Sequence, residues 1–366
     1  MTYKETLFFI GKCLTITHDI SNRNSIEKEL QSGTIDWDKV VQVSTQHYVY
    51  PALYCNLQRA GFLEYLPLEL VAHMEHITDL NRERNQQIIA QATAINTLLL
   101  NNNITPIFLK GTANLLDNCY QDIAERMVGD IDFIVARRVA NQAVQLLLDN
   151  GYSNINPLAE ELTKTVSYVK HHPRMVKKGA INAIEVHLEV TREAYRKIFN
   201  YETIAPTARK VNTFSLFSYE HQIFHTLMNH QLNDLGYLYK NIALRNYYDV
   251  FLLAQKENTL KSIEKFPKTY KELNTFLAVA STIFSNTPAI IFKETGHVIR
   301  ERDSILALLD TPKKHQQRNA YLKKWVLHKT RARLLFKAFY SKPHFIHVAT
   351  RLSDIRFYKR VFFNKT

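Results

Sequence analysis

The sequence contains little cysteine and no long apolar run. Its three cysteines, Cys13, Cys55 and Cys119, lie far apart among 366 residues, and their spacing is not that of a metal site. Such sparse use of cysteine is expected of a protein in a reducing cytoplasm. No stretch reaches the roughly 18 apolar residues of a membrane span, and the apolar run Leu7–Ile10 is too short for a signal peptide. These absences predict a cytoplasmic protein.

Acidic residues are almost missing from the C-terminal segment 311–366. This segment contains nine lysines, six arginines and one acid, Asp354, for a net charge of +14. The rest of the chain holds 32 basic and 33 acidic residues, so the overall net charge of +13 belongs to this segment. Aromatic residues are interspersed with the basic ones. Three alternatives remain open: a solvated helix face, a surface for RNA or DNA, or a surface for an anionic membrane.

The composition of the whole chain is that of a globular protein. Apolar residues make up 46% and charged residues 22% of it, which is enough apolar material for two or three domains with a large core. We predict an α+β fold in which a small mixed-sheet domain lies between helical regions. The expected divisions are a helical region at 1–85, a sheet domain at 86–213, a second helical region at 214–310 and the basic segment 311–366.

Capping residues and helical periodicity predict helices in the N-terminal region. Ser25 and Asp36 are expected to cap helices, because serine and aspartate side chains accept hydrogen bonds from the first free backbone amides. The segment Asn81–Leu100 carries apolar residues at helical spacing and is the clearest helix of the chain. A strand is expected after it at Ile104–Leu109.

Two aspartates mark the next predicted strand. Asp130 and Asp132 alternate with Ile131, Phe133 and Val135, so both carboxylates are expected on one face of the strand. Two carboxylates held side by side repel each other unless a cation lies between them. Mg²⁺ favours a few carboxylates together with a substrate phosphate. The alternative is a strand at a sheet edge with two solvated aspartates.

The surrounding motif resembles the nucleotidyltransferase superfamily typified by DNA polymerase beta, and more narrowly a bacterial family of poorly characterised nucleotidyltransferases. The shared features are an apolar strand, Lys-Gly, a helix with a tyrosine, an arginine and Asp-apolar-Asp, carried here by Leu109, Lys110, Gly111, Tyr120, Arg126, Asp130, Ile131, Asp132, Phe133 and Ile134. The resemblance extends from about Trp37 to about Leu253. The wider superfamily usually has Gly-Ser or Gly-Gly closer to the aspartates, whereas this chain has Gly111–Thr112 at a longer distance.

The resemblance implies a metal-dependent nucleotidyltransferase with a polymerase beta-like domain. Such an enzyme moves a nucleoside monophosphate from a nucleoside triphosphate (NTP) to an acceptor hydroxyl and releases pyrophosphate. The implied cofactor is Mg²⁺, or alternatively Mn²⁺, held by Asp130, Asp132 and an acid on a third strand. The acceptor stays open and is a small molecule, an RNA or a protein.

The third strand is expected at Ala183–Val190, where apolar and polar residues alternate. Its Ile184-Glu185-Val186-His187 sequence matches the apolar-acid-apolar-His pattern of the family. We therefore expect Glu185, rather than Glu189, as the third metal ligand. His187 is expected to orient a carboxylate, to contact phosphate or to serve as a structural histidine.

Four residues are expected to contact the nucleotide together with His187. Glycine at Gly111, followed by Thr112, lets backbone amides approach a phosphate at the start of a helix. Lys110 supplies a point charge for the triphosphate. Arg126 is expected either to order the loop or to bind phosphate. A solvated loop position is the alternative for Lys110.

Two further groups of residues leave their roles open. His221, His225 and His230 lie on or near one helix, and histidines at i and i+4 can bind zinc, but the local pattern offers no third ligand. Arg245 and Asp249 are spaced to pair with each other on a helix. Asp249 is also a secondary candidate for framing the nucleotide.

The segment 152–168 is hard to predict, and the basic segment after it has a separate prediction. Residues 152–168 could include a strand. The segment 170–178 is a basic loop or the edge of a hairpin. It is expected to be a solvated turn, with a positive rim over the nucleotide or the acceptor as the alternative.

A function of another class remains open for the whole chain. It is a catalytically inactive nucleotidyltransferase fold that binds nucleic acid or an anionic membrane surface through segment 311–366.

Overall fold

The fold is α+β, as predicted from the sequence. The structure is a computed structural model that describes residues 1–155 and 170–353. The predicted strand within 152–168 is present at Tyr152–Asn154, and residues 156–168 lie outside the described part. The last part of the basic segment, from residue 354 onward, also lies outside it. Among the described residues, no helix combines the length and the apolar character that crossing a membrane requires.

Helices precede, interrupt and follow the strands of one sheet. The α-helices lie at Tyr3–Cys13, Ile20–Gln31, Trp37–Gln46, Tyr50–Ala60, Leu68–Leu100, Lys110–Leu116, Ala140–Asp149, Tyr201–Ile204, Tyr219–Met228, Gly236–Tyr239, Leu244–Ala254, Lys261–Glu264, Tyr270–Ile283, Gly296–Leu308, Pro312–Ala338 and Lys342–Ser353. The strands are β1 Ile107–Phe108, β2 Ile131–Ile134, β3 Tyr152–Asn154, β4 Met175–Lys177, β5 Ile184–His187, β6 Arg209–Val211 and β7 Phe214–Leu216. The strands expected at 104–109, 130–135 and 183–190 are present but shorter.

The seven strands form a mixed sheet in the order β3-β4-β5-β2-β1-β7-β6. The pairs β2–β5 and β1–β7 are parallel, and the other neighbouring pairs are antiparallel. Strand β2 is therefore an inner strand, between β1 and β5. The alternative of an edge strand with two solvated aspartates is wrong.

The inner strands bury one complete face. Ile131, Phe133, Ile184 and Val186 have no exposed surface. They belong to one apolar cluster that contains residues from Leu7 to Leu309. Burial of these branched and aromatic side chains holds β2 and β5 in register, because a slip by one residue would turn the apolar set to the other face.

Buried polar residues explain why one helix is longer than expected. The predicted helix Asn81–Leu100 begins earlier, at Leu68, and its buried face continues through Met74 and Thr78. Asn81 and Asn85 on this face donate hydrogen bonds to backbone carbonyls of the loop 123–126. Two asparagines therefore interrupt the apolar pattern without ending the helix. The helix also spans the proposed boundary at 85/86, and the division into domains stays a prediction.

The two predicted N-terminal caps have different outcomes. Asp36 caps the helix Trp37–Gln46 by accepting a hydrogen bond from the Lys39 amide, as expected. The prediction for Ser25 is wrong, because the helix around it begins earlier, at Ile20, with Asp19 as its cap. Ser25 lies inside that helix and donates a hydrogen bond to Glu29 at 3.2 Å.

The first helix approaches the helix Tyr270–Ile283 closely at Gly11. A Cβ atom at this position would lie 2.6 Å from the backbone oxygen of Ile283. We expect Gly11→Ala to lower the free energy of unfolding by about 1–3 kcal/mol through overpacking. Urea unfolding measures the change, and Gly129→Ala is the control, because its Cβ would meet no atom within 4 Å. Equal stability of both variants would contradict the close approach.

Candidate active site

Asp132 and Glu185 face each other across two parallel strands. They are directly paired in the register of β2 and β5, so their side chains leave the sheet on the same face. Asp132 is 6% exposed and Glu185 is half-buried. Two residues that are 53 positions apart in the chain thus form one acidic pair on the face opposite the apolar core.

His187 completes this group at the end of β5. Its ring is fully buried, and its Nε2 atom lies 2.8 Å from Asp132 Oδ1 and 3.6 Å from Glu185 Oε2. Its Nδ1 atom lies 3.4 Å from the Glu189 carbonyl oxygen. A histidine that donates its other ring N–H to a backbone carbonyl is the usual arrangement in metal sites. The contacts of His187 therefore fit either a ligand or a residue that orients Asp132.

The three side chains fit a divalent cation. One ligand atom from each of Asp132, Glu185 and His187 lies within 4.8 Å of the others. Carboxylates are the protein ligands that suit Mg²⁺ and Mn²⁺, and imidazole is a ligand for several transition metals. Among residues 1–155 and 170–353, this is the group of histidine, cysteine and acidic side chains that could hold a metal ion.

Positive side chains neutralise the acidic group from two sides. Lys110 Nζ lies 2.6 Å from Asp132 Oδ1 and 3.8 Å from Glu185 Oε2. Arg174 pairs with Asp130, and its Nε atom lies 3.7 Å from Glu185 Oε1. Lys110 has a left-handed backbone with φ of 56° at the turn between β1 and the next helix. This strained turn directs the lysine to the carboxylates.

The surrounding charges keep the two central acids ionised. Burial alone would raise the pKa of Asp132, but Lys110 and His187 lower it below its ordinary value. The contact with His187 lowers the pKa of Glu185 more than burial raises it. Both carboxylates are therefore negatively charged at neutral pH, which is the state that binds a cation.

Asp130 borders the group but lies one residue before β2. Burial raises the pKa of its carboxyl group against the opposing charge of Arg174. Arg174 also approaches Glu185, so Asp130 and Glu185 both interact with the same arginine side chain. The structure thus brings Asp132, Glu185 and His187 together and places Asp130 beside them through an arginine.

A family model described as "Uncharacterised nucleotidyltransferase" matches residues 33–284. The chain belongs to this family. The matched range includes the acidic group and the whole resemblance at Trp37–Leu253. No curated protein and no solved structure is significantly similar to the chain.

In this member of the family, Gly111 and Thr112 are buried at the start of the helix that follows β1. The Thr112 hydroxyl donates a hydrogen bond to the Asp130 carbonyl oxygen at 3.1 Å. A Cβ atom at Gly111 would lie 3.2 Å from Arg126 Cζ and from Val128 Cγ2. Glycine at this position therefore gives the Arg126 guanidinium room to pack against the turn. Contact of Gly111 and Thr112 with a phosphate stays a prediction.

Arg126 orders the loop before β2. Its Nε and Nη2 atoms donate to both Asp249 carboxylate oxygens at 2.9–3.1 Å, and Nη1 donates to the Met127 carbonyl oxygen at 2.6 Å. The Tyr120 hydroxyl donates to Asp249 Oδ1 at 2.6 Å. Of the two roles expected for Arg126, its buried contacts are those of loop ordering.

The expected pairing of Arg245 with Asp249 is wrong. Arg245 donates instead to the Met127 carbonyl oxygen at 3.2 Å, and its guanidinium stacks over the Tyr48 ring at 4.8 Å. Asp249 is occupied by Arg126 because the helix Leu244–Ala254 turns this carboxylate toward the loop before β2. Asp249 therefore anchors the loop before β2 through Arg126 and Tyr120.

The expected solvated turn at 170–178 is wrong for most of the segment, because residues 175–177 form β4 with Met175 buried and the exposed turn begins only at Lys178. Lys170 is largely buried, donates to Asn229 Oδ1 at 3.4 Å and lies close enough to Lys110 and Asp132 to interact with their charges. Burial, and then the charge of Lys110, lower the pKa of Lys170 to about 8. Lys170 and Arg174 were missed as site residues. The positive charge of the segment was the signal in the sequence that it could border an acidic site. Which of its residues lie near the acids depends on the pairing of β4 with β5.

The remaining sequence candidates lie beside the site. Glu189 pairs with Arg137 at 2.7 Å rather than joining the acidic group. His221 Nδ1 lies 3.1 Å from the Thr207 hydroxyl, and the His230 ring packs against Gly236. His225 is buried near Phe217, and its Nε2 atom has no hydrogen-bond partner. None of these three histidines belongs to the metal group found among the described residues.

Proposed function

We propose that this chain transfers a nucleoside monophosphate from an NTP to an acceptor hydroxyl and releases pyrophosphate. The observation that carries the proposal is the Asp132–Glu185 pair with His187, placed next to Lys110 in a chain of the nucleotidyltransferase family. In this reaction the acceptor oxygen forms a bond to the α-phosphorus while the bond from that phosphorus to the leaving pyrophosphate breaks. The proton of the acceptor hydroxyl passes to the solvent, so the products are the nucleotidylated acceptor, pyrophosphate and one proton.

Asp132 and Glu185 would hold the cation, with Asp130 and His187 as further proposed ligands. When bound, Mg²⁺ or Mn²⁺ would neutralise negative charge on the reacting phosphates. Lys110 would leave Asp132 and contact the triphosphate, because a lysine ammonium on a flexible side chain can exchange one anion for another. Arg126 and Asp249 would keep the loop before β2 in place. Most of the rate enhancement would come from positioning and charge neutralisation.

The direct test is label transfer by the full chain. The protein is incubated with each α-³²P-labelled NTP, a pool of cellular RNA, protein and small-molecule acceptors, and Mg²⁺ or Mn²⁺. We expect transfer of label and release of pyrophosphate, both abolished by EDTA. Absence of transfer under all of these conditions would contradict the proposal.

One observation favours an alternative function without catalysis. Each aspartate is already paired with a positively charged side chain: Asp132 with Lys110, and Asp130 with Arg174. An inactive nucleotidyltransferase fold would keep these pairs permanently and use segment 311–366 for binding. Salt-sensitive binding of nucleic acid or anionic vesicles without any label transfer would support this alternative.

A variant of Lys110 tests whether this lysine competes with a metal ion for Asp132. If it occupies a cation site, Lys110→Ala is expected to raise the affinity for Mn²⁺ without nucleotide by about tenfold, because a competing positive charge is removed from Asp132. The same variant should transfer label more slowly, because the triphosphate loses a positive contact. Mn²⁺ titration followed by electron paramagnetic resonance measures the affinity, with exposed Lys268→Ala as the control. Unchanged or weaker Mn²⁺ binding would contradict this role.

We also propose the wider relationship and the compartment of this protein. Membership of the polymerase beta-like superfamily is supported by two acids paired on neighbouring parallel strands beside a Lys-Gly turn. A reducing cytoplasm is supported by the three cysteines, which are all free thiols.

A further inference from the structure

Large aromatic side chains are exposed along the helix Pro312–Ala338. Tyr321, Trp325 and Phe336 are 70%, 45% and 66% exposed, and Phe339 directly after the helix is 89% exposed. At 3.6 residues per turn, Tyr321 and Phe339 are about five turns apart and point in the same direction, with Trp325 and Phe336 less than a quarter turn away. The rings therefore form a stripe of about 27 Å on one side of the helix, which we call the aromatic stripe.

Basic residues flank the aromatic stripe. The helix contains six lysines and three arginines and no acid. Lys324 and Arg331 are exposed on one side of the stripe, and the Lys329 ammonium lies 4.6 Å above the Trp325 ring. Such a surface attracts a polyanion that also offers flat rings, because phosphates pair with lysine and arginine while bases stack on aromatic side chains.

The arrangement of this helix does not favour a membrane surface. A helix that lies in a membrane interface separates a wide apolar face from a charged face. In Pro312–Ala338, charged and apolar residues are mixed around the whole circumference. The helix also buries none of its residues against the body of the protein. Single-stranded nucleic acid is the occupant that uses both kinds of side chain on one narrow surface.

The helix contacts the rest of the protein near both of its ends, and a series of contacts connects the second end with the surroundings of the candidate active site. Near its start, His315 contacts the Tyr239 carbonyl oxygen at 2.7 Å. Near its end, Lys337 pairs with Glu193 at 2.6 Å. The neighbouring residue Arg192 donates from its backbone amide to Asn233, and Asn229 in the same turn accepts from Lys170 beside the acidic group. The end of the helix is thus connected through Glu193 and the turn 229–233 to Lys170, which lies beside the acidic group.

We propose that the aromatic stripe binds single-stranded nucleic acid and that the 3′-terminal hydroxyl of this strand is the acceptor. The second statement rests on the proposed nucleotidyl transfer, whereas the first does not. Binding and transfer therefore have separate tests.

Binding is measured with the full chain by fluorescence anisotropy on a labelled 12-nucleotide RNA, the same sequence as single-stranded DNA, and a duplex. Trp325→Ala combined with Phe336→Ala is expected to weaken single-strand binding by about a hundredfold, or roughly tenfold for each lost stacking contact. Lys324→Gln combined with Arg331→Gln should reduce the slope of log K against log salt concentration by about 1.4. All four side chains are exposed, so we expect the circular dichroism of both variants to be unchanged.

The matched control carries Leu68→Ala and Lys268→Gln, which change an exposed apolar and an exposed basic residue away from the stripe. It should bind like the parent protein. Oligonucleotide binding that neither stripe variant weakens would overturn the proposal. Binding to vesicles with one quarter anionic lipid, without binding to any oligonucleotide, would overturn it in favour of a membrane surface. The comparison of RNA with single-stranded DNA identifies which type of nucleic acid is bound.

The acceptor is tested by extension of the same oligonucleotides with α-³²P-labelled NTPs. We expect extension of a strand with a free 3′ hydroxyl and none of a strand with a 3′ phosphate. An Asp132→Asn variant should bind the strand normally and fail to extend it. Label on a small molecule or a protein, with no extension of the oligonucleotide, would overturn the assignment of the 3′ hydroxyl as acceptor but would still support nucleotidyl transfer. Binding without transfer to any acceptor would overturn the transfer alone.

Discussion

Replacing Asp132 with asparagine is expected to reduce nucleotidyl transfer by about a thousandfold or more. Asparagine keeps the size of the side chain and a hydrogen-bonding partner for His187, but it removes the negative charge opposite Glu185. The cation site then loses its most buried carboxylate. Label transfer at saturating NTP measures the rate, and Mn²⁺ titration measures the loss of metal affinity independently of activity.

Glu189→Gln is the matched control for this substitution. Glu189 is an acid two residues beyond β5, but it pairs with Arg137 and approaches Arg196 at 3.8 Å instead of joining the group. Its loss should leave transfer and Mn²⁺ affinity within a few-fold of the parent values. If Glu189→Gln were as damaging as Asp132→Asn, the assignment of the acidic group would be wrong. Thermal unfolding of both variants checks that they are folded.

Asp249→Ala is expected to lower the free energy of unfolding by about 3–5 kcal/mol. The substitution leaves the Arg126 guanidinium buried without its partner and removes the acceptor of the Tyr120 hydroxyl. An unpaired buried charge is costly because the surrounding protein solvates it poorly. Urea unfolding followed by circular dichroism measures the change in stability.

Two further variants make this prediction specific. Asp303→Ala removes an exposed acid that pairs with Arg302 at 2.9 Å, and it should cost less than about 1 kcal/mol. The double variant Arg126→Met with Asp249→Leu removes both buried charges and should be more stable than Asp249→Ala alone. If Asp249→Ala lowered the free energy of unfolding no more than Asp303→Ala does, the Arg126–Asp249 pair would not hold the loop before β2.

The sequence predicted those parts of the site that depend on local chain geometry. Alternation along 183–190 placed Glu185 and His187 on the polar face of a strand, where the structure has them. The resemblance to nucleotidyltransferases agrees with the family that matches residues 33–284. Asp36 was recognised as a cap because a cap is defined by the residues that follow it directly.

Ion pairs between residues that are distant in the chain could not be predicted from the sequence. Arg174 pairs with an aspartate 44 positions earlier, and Arg126 pairs with an aspartate 123 positions later. Local spacing instead suggested a pair between Arg245 and Asp249. The helix geometry permits that pair, but the loop before β2 offers Asp249 a better-placed arginine.

By itself, the sequence determined the α+β class, the strands that carry acids and the concentration of positive charge at the C-terminal end. Side-chain direction follows from backbone geometry within a few residues, and charge follows from composition, so both can be deduced without coordinates. Only the tertiary structure decided that Lys110 and Arg174 neutralise the acids, and that the basic helix pairs with Glu193 near its end. Electrostatic interaction depends on distance in space, and the sheet order sets those distances.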